Sequence, residues 1–148
     1  MNLHTRNGII LDKEWLYSLY CITMKTHVEK TWGWDEDFQK NAFETHLRPD
    51  RFHIVMKSSI DAGAYLIYDK GDHLWLEMLL VNPELQNQGI GSWVIRKLQN
   101  KSKQANIPLK LSVIKVNPVQ SFYKSLGFSI YDEDDSFYKM EWSHNKPK

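Results

Sequence analysis

Residues 79–93 read LLVNPELQNQGIGSW, and this stretch changes its pattern twice. An apolar run ends at Val81, and Pro83 then stops a strand because proline has no N–H to donate to a sheet. A polar turn with two glycines follows, after which apolar residues recur at helical spacing. The stretch therefore predicts a strand, a glycine turn and a helix. The apolar face of that helix consists of Ile90, Val94, Ile95 and Leu98.

A glycine turn that leads into a helix is suited to bind an anion. Glycine lets the backbone adopt strained angles and lets a ligand approach closely. The first N–H groups of a helix lack partners and carry a partial positive charge, so phosphate is their usual ligand. The spacing excludes a P-loop, and the first glycine of G-x-G-x-x-G is missing. What remains is Gln-x-x-Gly-x-Gly over residues 86–91.

Length and composition favour one globular domain over residues 1–148. With 42% hydrophobic residues the chain can bury a sizeable core, and 19 basic against 18 acidic residues predict no nucleic-acid partner. The apolar runs are too short to span a bilayer, and the N-terminus lacks a signal-peptide core. The single cysteine, Cys21, permits no internal disulfide. We therefore expect a cytoplasmic protein without a membrane partner, either a monomer or a homodimer.

Periodicity along the rest of the chain predicts further helices and strands. One helix should run from an N-cap at Asp12 to about His27. A second should run from Asp35 to before Pro49, with Phe38, Ala42 and Phe43 as its apolar positions. A last short helix should be capped by Asn117 and end before Gly127. The expected strands are residues 52–56, 62–68, 73–81, 109–115, 128–131 and 136–142, with residues 9–11 as a candidate edge strand. Residues 73–81 have bulky side chains on both faces, so this strand should be central.

A second segment downstream is informative as a set. Residues 111–128 contain the end of a strand, Asn117 before a short helix, Tyr123 on that helix, and a Gly127-Phe128 turn. In combination with Gln-x-x-Gly-x-Gly, this segment resembles the acetyl-CoA-dependent N-acetyltransferases of the GNAT superfamily. Residues 32–36, WGWDE, together with Gln39, resemble a bacterial subgroup of these enzymes. The resemblance covers nearly the whole chain and is weakest before Asp12.

The resemblance implies an α/β (α+β) fold with a mixed, mostly antiparallel sheet of six to seven strands and about four helices. This sheet would be splayed after the central strand, and coenzyme A would lie in the split, its pantetheine arm pairing like an added strand. The N–H groups from Gln86 to Ser92 would hold the pyrophosphate. The cofactor-binding residues implied in this way are Leu79, Leu80, Val81, Gln86, Asn87, Gln88, Gly89, Ile90, Gly91, Ser92, Asn117 and Tyr123.

Attack of an amine on a thioester requires a base, a polarised carbonyl and a good leaving thiolate. The resemblance implies Tyr123 as the acid for the thiolate, although a core aromatic would also explain this residue. Glu77 is the carboxylate within the central strand and is the candidate base, acting through water. In the bacterial subgroup a carboxylate often lies nearer the position of Leu80, which is apolar here. Asp35 and Glu36 are alternative bases, but a helix cap or a surface charge explains them equally well.

The acceptor side is the least specific part of the sequence. Trp32, Trp34 and Glu36 would line it, where an apolar wall helps to keep an amine neutral. The acceptor could be a polyamine, an aminoglycoside, an amino acid or a protein amino group. No metal is expected, because the six histidines lack ligand spacing. Two other functions remain open: a non-catalytic acyl-CoA-binding sensor of the same fold, and a nucleotide-binding protein.

Overall fold

Four α-helices and seven β-strands form in residues 2–145, which are the residues that the structure, a computed structural model, describes. The helices are α1 (Lys13–Trp32), α2 (Glu36–His46), α3 (Ile90–Ala105) and α4 (Gln120–Ser125). The strands are β1 (Leu3–Asn7), β2 (His53–Lys57), β3 (Ile60–Asp69), β4 (Leu74–Val81), β5 (Leu109–Ile114), β6 (Ser129–Glu133) and β7 (Phe137–Trp142). Short 3-10 helices occupy Ile10–Asp12, Pro49–Arg51 and Pro83–Leu85.

The strands form one sheet in the order β1-β2-β3-β4-β5-β7-β6, so β4 is central as predicted. The pairs β1–β2, β2–β3, β5–β7 and β6–β7 are antiparallel, whereas β4 and β5 are parallel. The parallel pair joins Leu74–Leu76 to Leu109–Leu111, which occupies only the first half of β4. This is the mixed, mostly antiparallel sheet of seven strands that the resemblance implied.

The chain divides into two compact units. The first comprises the residues up to Leu66 together with Met78–Ile90, and the second comprises Ile67–Glu77 and the chain from Gly91 onward. In the first unit, α1 and α2 pack aromatic side chains together and against the residue that precedes β2. The Phe43 ring lies 5.4 Å from Tyr17, 5.3 Å from Tyr20 and 6.2 Å from Phe52, measured between ring centroids.

The N-terminal part of the first unit is fixed by an ion-pair cluster. The Arg6 guanidinium donates to both carboxylate oxygens of Asp12 at 2.8 Å and to Asp61 Oδ2 at 3.1 Å. Asp12 Oδ2 also accepts the Ile9 N–H at 2.8 Å. Asp12 therefore precedes α1 as predicted but does not cap it, because Arg6 and Ile9 occupy its side chain.

Three predictions about the first unit were wrong. Residues 9–11 form no strand, because hydrogen bonds between Ile9 and Asp12 close a tight turn that leaves Ile10 71% and Leu11 85% exposed. The edge strand is β1. Helix α1 runs to Trp32 instead of about His27, since Gly33, at a φ of 83°, is what ends it. Phe38 is 66% exposed, because five residues before Phe43 it lies about 140° around the helix from the buried face.

Helix α3, which belongs to the second unit from Gly91 onward, buries the face predicted from its spacing. Val94, Ile95 and Leu98 are buried, as is Ile90 at the start of the helix. Gln99 Nε2 donates to the carbonyl of Leu126 at 2.9 Å, which ties α3 to the end of α4. Gly127 follows α4 at a φ of 95°, which is the left-handed conformation expected of a glycine after a helix.

Candidate active site

The C-terminal half of β4 directs its backbone groups to two different edges. The Asn82 N–H donates to the Ala62 carbonyl at 2.9 Å, so even-numbered residues here face β3. A Cβ at Gly63 would lie 2.5 Å from the Leu80 oxygen, which shows how closely β3 approaches. The backbone groups of Leu79 and Val81 therefore point away from β3, as an edge that receives an added strand requires. The Leu80 side chain is buried.

The loop from Asn82 to Gly89 is shaped by its own side chains. Asn82 Oδ1 accepts the Glu84 N–H at 3.0 Å, and Gln86 Nε2 donates to the Val81 carbonyl at 3.1 Å. Asn87 and Gly89 both have left-handed backbones, with φ values of 64° and 82°. Residues 86–89 are exposed, whereas Leu85 is half-buried and Ile90 is buried and anchors the start of α3. The loop thus presents strained, accessible backbone immediately before a helix N-terminus.

Gly91 and Ser92 form the first turn of α3, in the second unit. A Cβ at Gly91 would lie 3.2 Å from Phe122 Cζ on α4, so the absence of a side chain lets α4 approach this turn. Gly91 is therefore constrained by packing, whereas Gly89 is constrained by its backbone angle.

Asn117 and Tyr123 lie before and on α4. Asn117 Oδ1 accepts the Val119 N–H at 3.1 Å, so it closes the preceding turn, and α4 itself begins later at Gln120. The prediction that Asn117 caps this helix was therefore wrong by a few residues. Tyr123 is only 7% exposed and packs edge-on against Phe122 and Phe128, at centroid distances of 5.2 and 5.5 Å. Burial raises the pKa of the Tyr123 phenol, so the hydroxyl stays protonated at neutral pH.

Glu77 lies on β4 with its side chain exposed. One carboxylate oxygen accepts the Trp75 indole N–H at 2.6 Å. Burial alternates along this strand, with Leu74, Leu76 and Leu80 buried, so Glu77 shares the opposite face with Trp75 and with the odd-numbered residues.

Two of the three predicted acceptor-side residues, Trp34 and Glu36, contact each other at the corner between α1 and α2. Glu36 accepts the Trp34 indole N–H at 2.6 Å and the Tyr17 hydroxyl at 3.0 Å, and these donors hold the pKa of Glu36 below its usual range. The Lys25 ammonium lies 5.4 Å from the centre of a Trp34 ring. Trp32 is 53% exposed at the end of α1. Asp35 caps α2 as predicted, accepting the Phe38 N–H at 3.0 Å.

Comparisons with known proteins agree with this geometry. The sequence profile of the Acetyltransferase (GNAT) family matches residues 16–128, which include the loop, the first turn of α3, Asn117 and Tyr123. This chain belongs to the GNAT acetyltransferase family. Among curated proteins, no relative matches the chain.

Solved GNAT structures share the fold over almost the full length of both chains. The PaiA N-acetyltransferase from Thermoplasma acidophilum, in complex with coenzyme A, has a TM-score of 0.78 at 20% identity, covering 97% of this chain and 100% of that chain. The ribosomal-protein-S18-alanine N-acetyltransferase from Escherichia coli has a TM-score of 0.70 at 16% identity, with coverages of 99% and 97%. Arabidopsis thaliana Naa50, in complex with the bisubstrate analogue CoA-Ac-MVNAL, has a TM-score of 0.67 at 16% identity, with coverages of 97% and 99%.

Some contacts of this GNAT chain had no signal in the sequence. Lys57 on β2 donates to Gln88 Oε1 at 2.6 Å, although 31 residues separate them along the chain. Tyr20 donates to Gln39 at 3.2 Å across the α1–α2 corner. A single sequence cannot indicate either pair, because each depends on how distant elements pack. The one indication was that Gln39 lies close in sequence to the WGWDE segment, which the resemblance assigned to the acceptor side.

Residues 2–145 contain no candidate metal site and no candidate membrane-spanning helix. No group of three or more His, Cys, Asp or Glu side chains in this range is placed to hold a metal ion. Within the same range, no helix combines the length and the hydropathy that crossing a membrane requires.

Proposed function

We propose that this GNAT chain is an N-acetyltransferase, a single catalytic domain that transfers the acetyl group of acetyl-CoA to a primary amine by direct attack in a ternary complex. The observation that carries the proposal is the exposed loop before α3, where Asn87 and Gly89 hold left-handed backbone angles. Backbone of this kind aims successive N–H groups at one point and forms an anion-binding concavity. The N-terminus of α3 follows directly and adds its partial positive charge.

The backbone of β4 is suited to the arm and the thioester. Because Leu79 and Val81 direct their backbone groups away from β3, an extended pantetheine arm can pair with them. An N–H group at the same place can donate to the carbonyl oxygen as negative charge develops on it. Leu80 contributes its backbone only, since its side chain is buried.

Tyr123 and Glu77 take the proton-transfer roles in this proposal. Burial raises the pKa of the Tyr123 phenol, which keeps the hydroxyl protonated at neutral pH but makes it a weaker acid. In this proposal Tyr123 therefore acts on the departing thiolate by a hydrogen bond that can become proton transfer as negative charge develops on the sulfur. Glu77 is exposed and can accept the proton of the amine through a water molecule. Asn117 is half-buried, and its side chain would contact the pantetheine arm.

The acceptor would bind beside Trp32, Trp34 and Glu36. Aromatic rings and a carboxylate held ionised at the α1–α2 corner suit an amine-bearing molecule. Two structural neighbours are a ribosomal-protein-S18-alanine N-acetyltransferase and Naa50 bound to the bisubstrate analogue CoA-Ac-MVNAL, which supports protein amino groups as one class of acceptor. Small amines are the other class.

A ligand panel and a turnover assay test the proposal. Thermal unfolding with acetyl-CoA, CoA, ATP and NAD should show stabilisation by the two coenzyme A ligands only. At 100 times its Kd a ligand adds about 2.7 kcal/mol, which is about 5–11 °C for a chain of this size. Release of free CoA thiol should then depend on an added amine. Preference for ATP or NAD would refute the proposal, and binding of acetyl-CoA without turnover on any amine would indicate a sensor.

A further inference from the structure

Lys57 is held against the loop by a single well-defined contact. Its ammonium group donates to Gln88 Oε1 at 2.6 Å, and both residues belong to the first compact unit. The backbone of Lys57 is paired on both sides, with Leu3 on β1 and with Ile60 on β3. The side chain therefore starts from a fixed point at the end of β2.

The loop itself supplies no full positive charge. Residues 82–92 contain no Lys or Arg and one acid, Glu84. The backbone N–H groups and the N-terminus of α3 provide the equivalent of about half a charge. A pyrophosphate is an anion, so a cation beside the loop would strengthen its binding through charge-assisted hydrogen bonds.

The position of Gln88 sets where the Lys57 ammonium is held. Gln88 lies between Asn87 and Gly89, the two residues with left-handed backbones. An ammonium has three N–H donors, and Gln88 takes one of them, which leaves two for phosphate oxygens. The contact with Gln88 thus restrains a long, flexible side chain next to the proposed anion site.

We propose that Lys57 is a further coenzyme A-binding residue, whose ammonium group contacts the pyrophosphate oxygens at the loop that Gln88 belongs to. This role rests on the proposed function, since it requires coenzyme A at this loop. If Lys57 makes only a surface contact with Gln88, its charge should have no measurable effect on binding, because exposed polar contacts of lysine contribute little.

The test compares Lys57→Gln with Lys70→Gln by calorimetry on two ligands, CoA and 3′-dephospho-CoA. The amide introduced by Lys57→Gln can still donate to Gln88 but carries no charge. Lys70 is a matched control, because it is exposed in the β3–β4 turn, 5.2 Å from the Tyr68 ring, and its loss changes the net charge equally. We expect Lys57→Gln to raise the Kd of both ligands by about 10–100-fold, as for loss of a charge-assisted hydrogen bond.

Two further measurements make the outcome decisive. Lys57→Arg should stay within a fewfold of wild type, and Lys57→Gln should weaken the salt dependence of binding, since screening acts on the lost charge. Equal Kd values for Lys57→Gln and Lys70→Gln would overturn the role of Lys57 alone. Weakened binding of CoA with unchanged 3′-dephospho-CoA would place the contact at the 3′-phosphate and overturn the pyrophosphate assignment. A wild type that binds neither ligand would overturn the proposed function as well.

Discussion

Replacing Gly89 with valine tests whether the left-handed backbone of the loop is needed to bind acetyl-CoA. Gly89 has a φ of 82°, and forcing a β-branched residue into that region costs about 1–3 kcal/mol. The exposed loop can relieve this strain by rearranging, which turns N–H groups away from the ligand. Loss of two hydrogen bonds to a phosphate, at about 1.5–3 kcal/mol each, should raise the Kd of acetyl-CoA at least about 100-fold.

Gly71→Val is the matched control for this experiment. Gly71 has a φ of 91° in the exposed β3–β4 turn, and a Cβ there would meet nothing within 4 Å. Both variants should lose similar thermal stability, by at most about 12 °C, because the strain is of the same kind. Only Gly89→Val should lose affinity in calorimetry with acetyl-CoA. Equal affinities in Gly89→Val, Gly71→Val and wild type would remove the pyrophosphate assignment of this loop.

Four further substitutions test the other assignments. Gly91→Val should also abolish acetyl-CoA binding in calorimetry, but through displacement of Phe122. Tyr123→Phe should lower kcat by about 10²–10⁴-fold and leave the affinity for acetyl-CoA nearly unchanged. If kcat and the alkaline side of its pH dependence were both unchanged, Tyr123 would be a packing residue. Trp34→Ala should raise the acceptor KM more than the acetyl-CoA Kd, and an unaltered KM would return Trp34 to a structural role. Asp12→Asn should cost about 2 kcal/mol of unfolding free energy at pH 7. Hydrogen bonds from Arg6 lower the pKa of Asp12, so this difference should shrink in melts below about pH 4; a constant difference would contradict the ion pair.

The parts of the fold that sequence predicted are those where one residue decides the local structure. Gly89 and Gly127 both have left-handed φ values at the turns that the sequence predicted. The apolar face of α3 was readable because four buried residues repeat at helical spacing. In each case the residues that carry the sequence pattern are the same residues that form the turn or helix.

Two of the errors, at residues 9–11 and at Asp12, arose where distant partners override a local pattern. Residues 9–11 are apolar, yet they are exposed because the polar segment LHTRN of β1 pairs with β2 instead. Asp12 reads as a helix cap, but Arg6 and the Ile9 N–H occupy its carboxylate. The Lys57–Gln88 contact belongs to the same class. Hydrophobicity and capping preference are properties of single positions. The exposure of residues 9–11, the hydrogen bonds of Asp12 and the Lys57–Gln88 contact depend instead on how distant segments pack together.

The hydrogen bonds of the three candidate bases rank them. Asp35 is committed to the Phe38 N–H at the start of α2, so protonating it would weaken that cap. Glu36 accepts two donors, and its lowered pKa makes it a weaker acceptor for the proton of an amine. Glu77 accepts one indole N–H and is otherwise exposed on the strand whose backbone would hold the thioester. The base role therefore suits Glu77 best. The negative charge of Glu36 instead suits binding of a protonated amine acceptor. That amine would then have to give its proton to another group before it attacks the thioester.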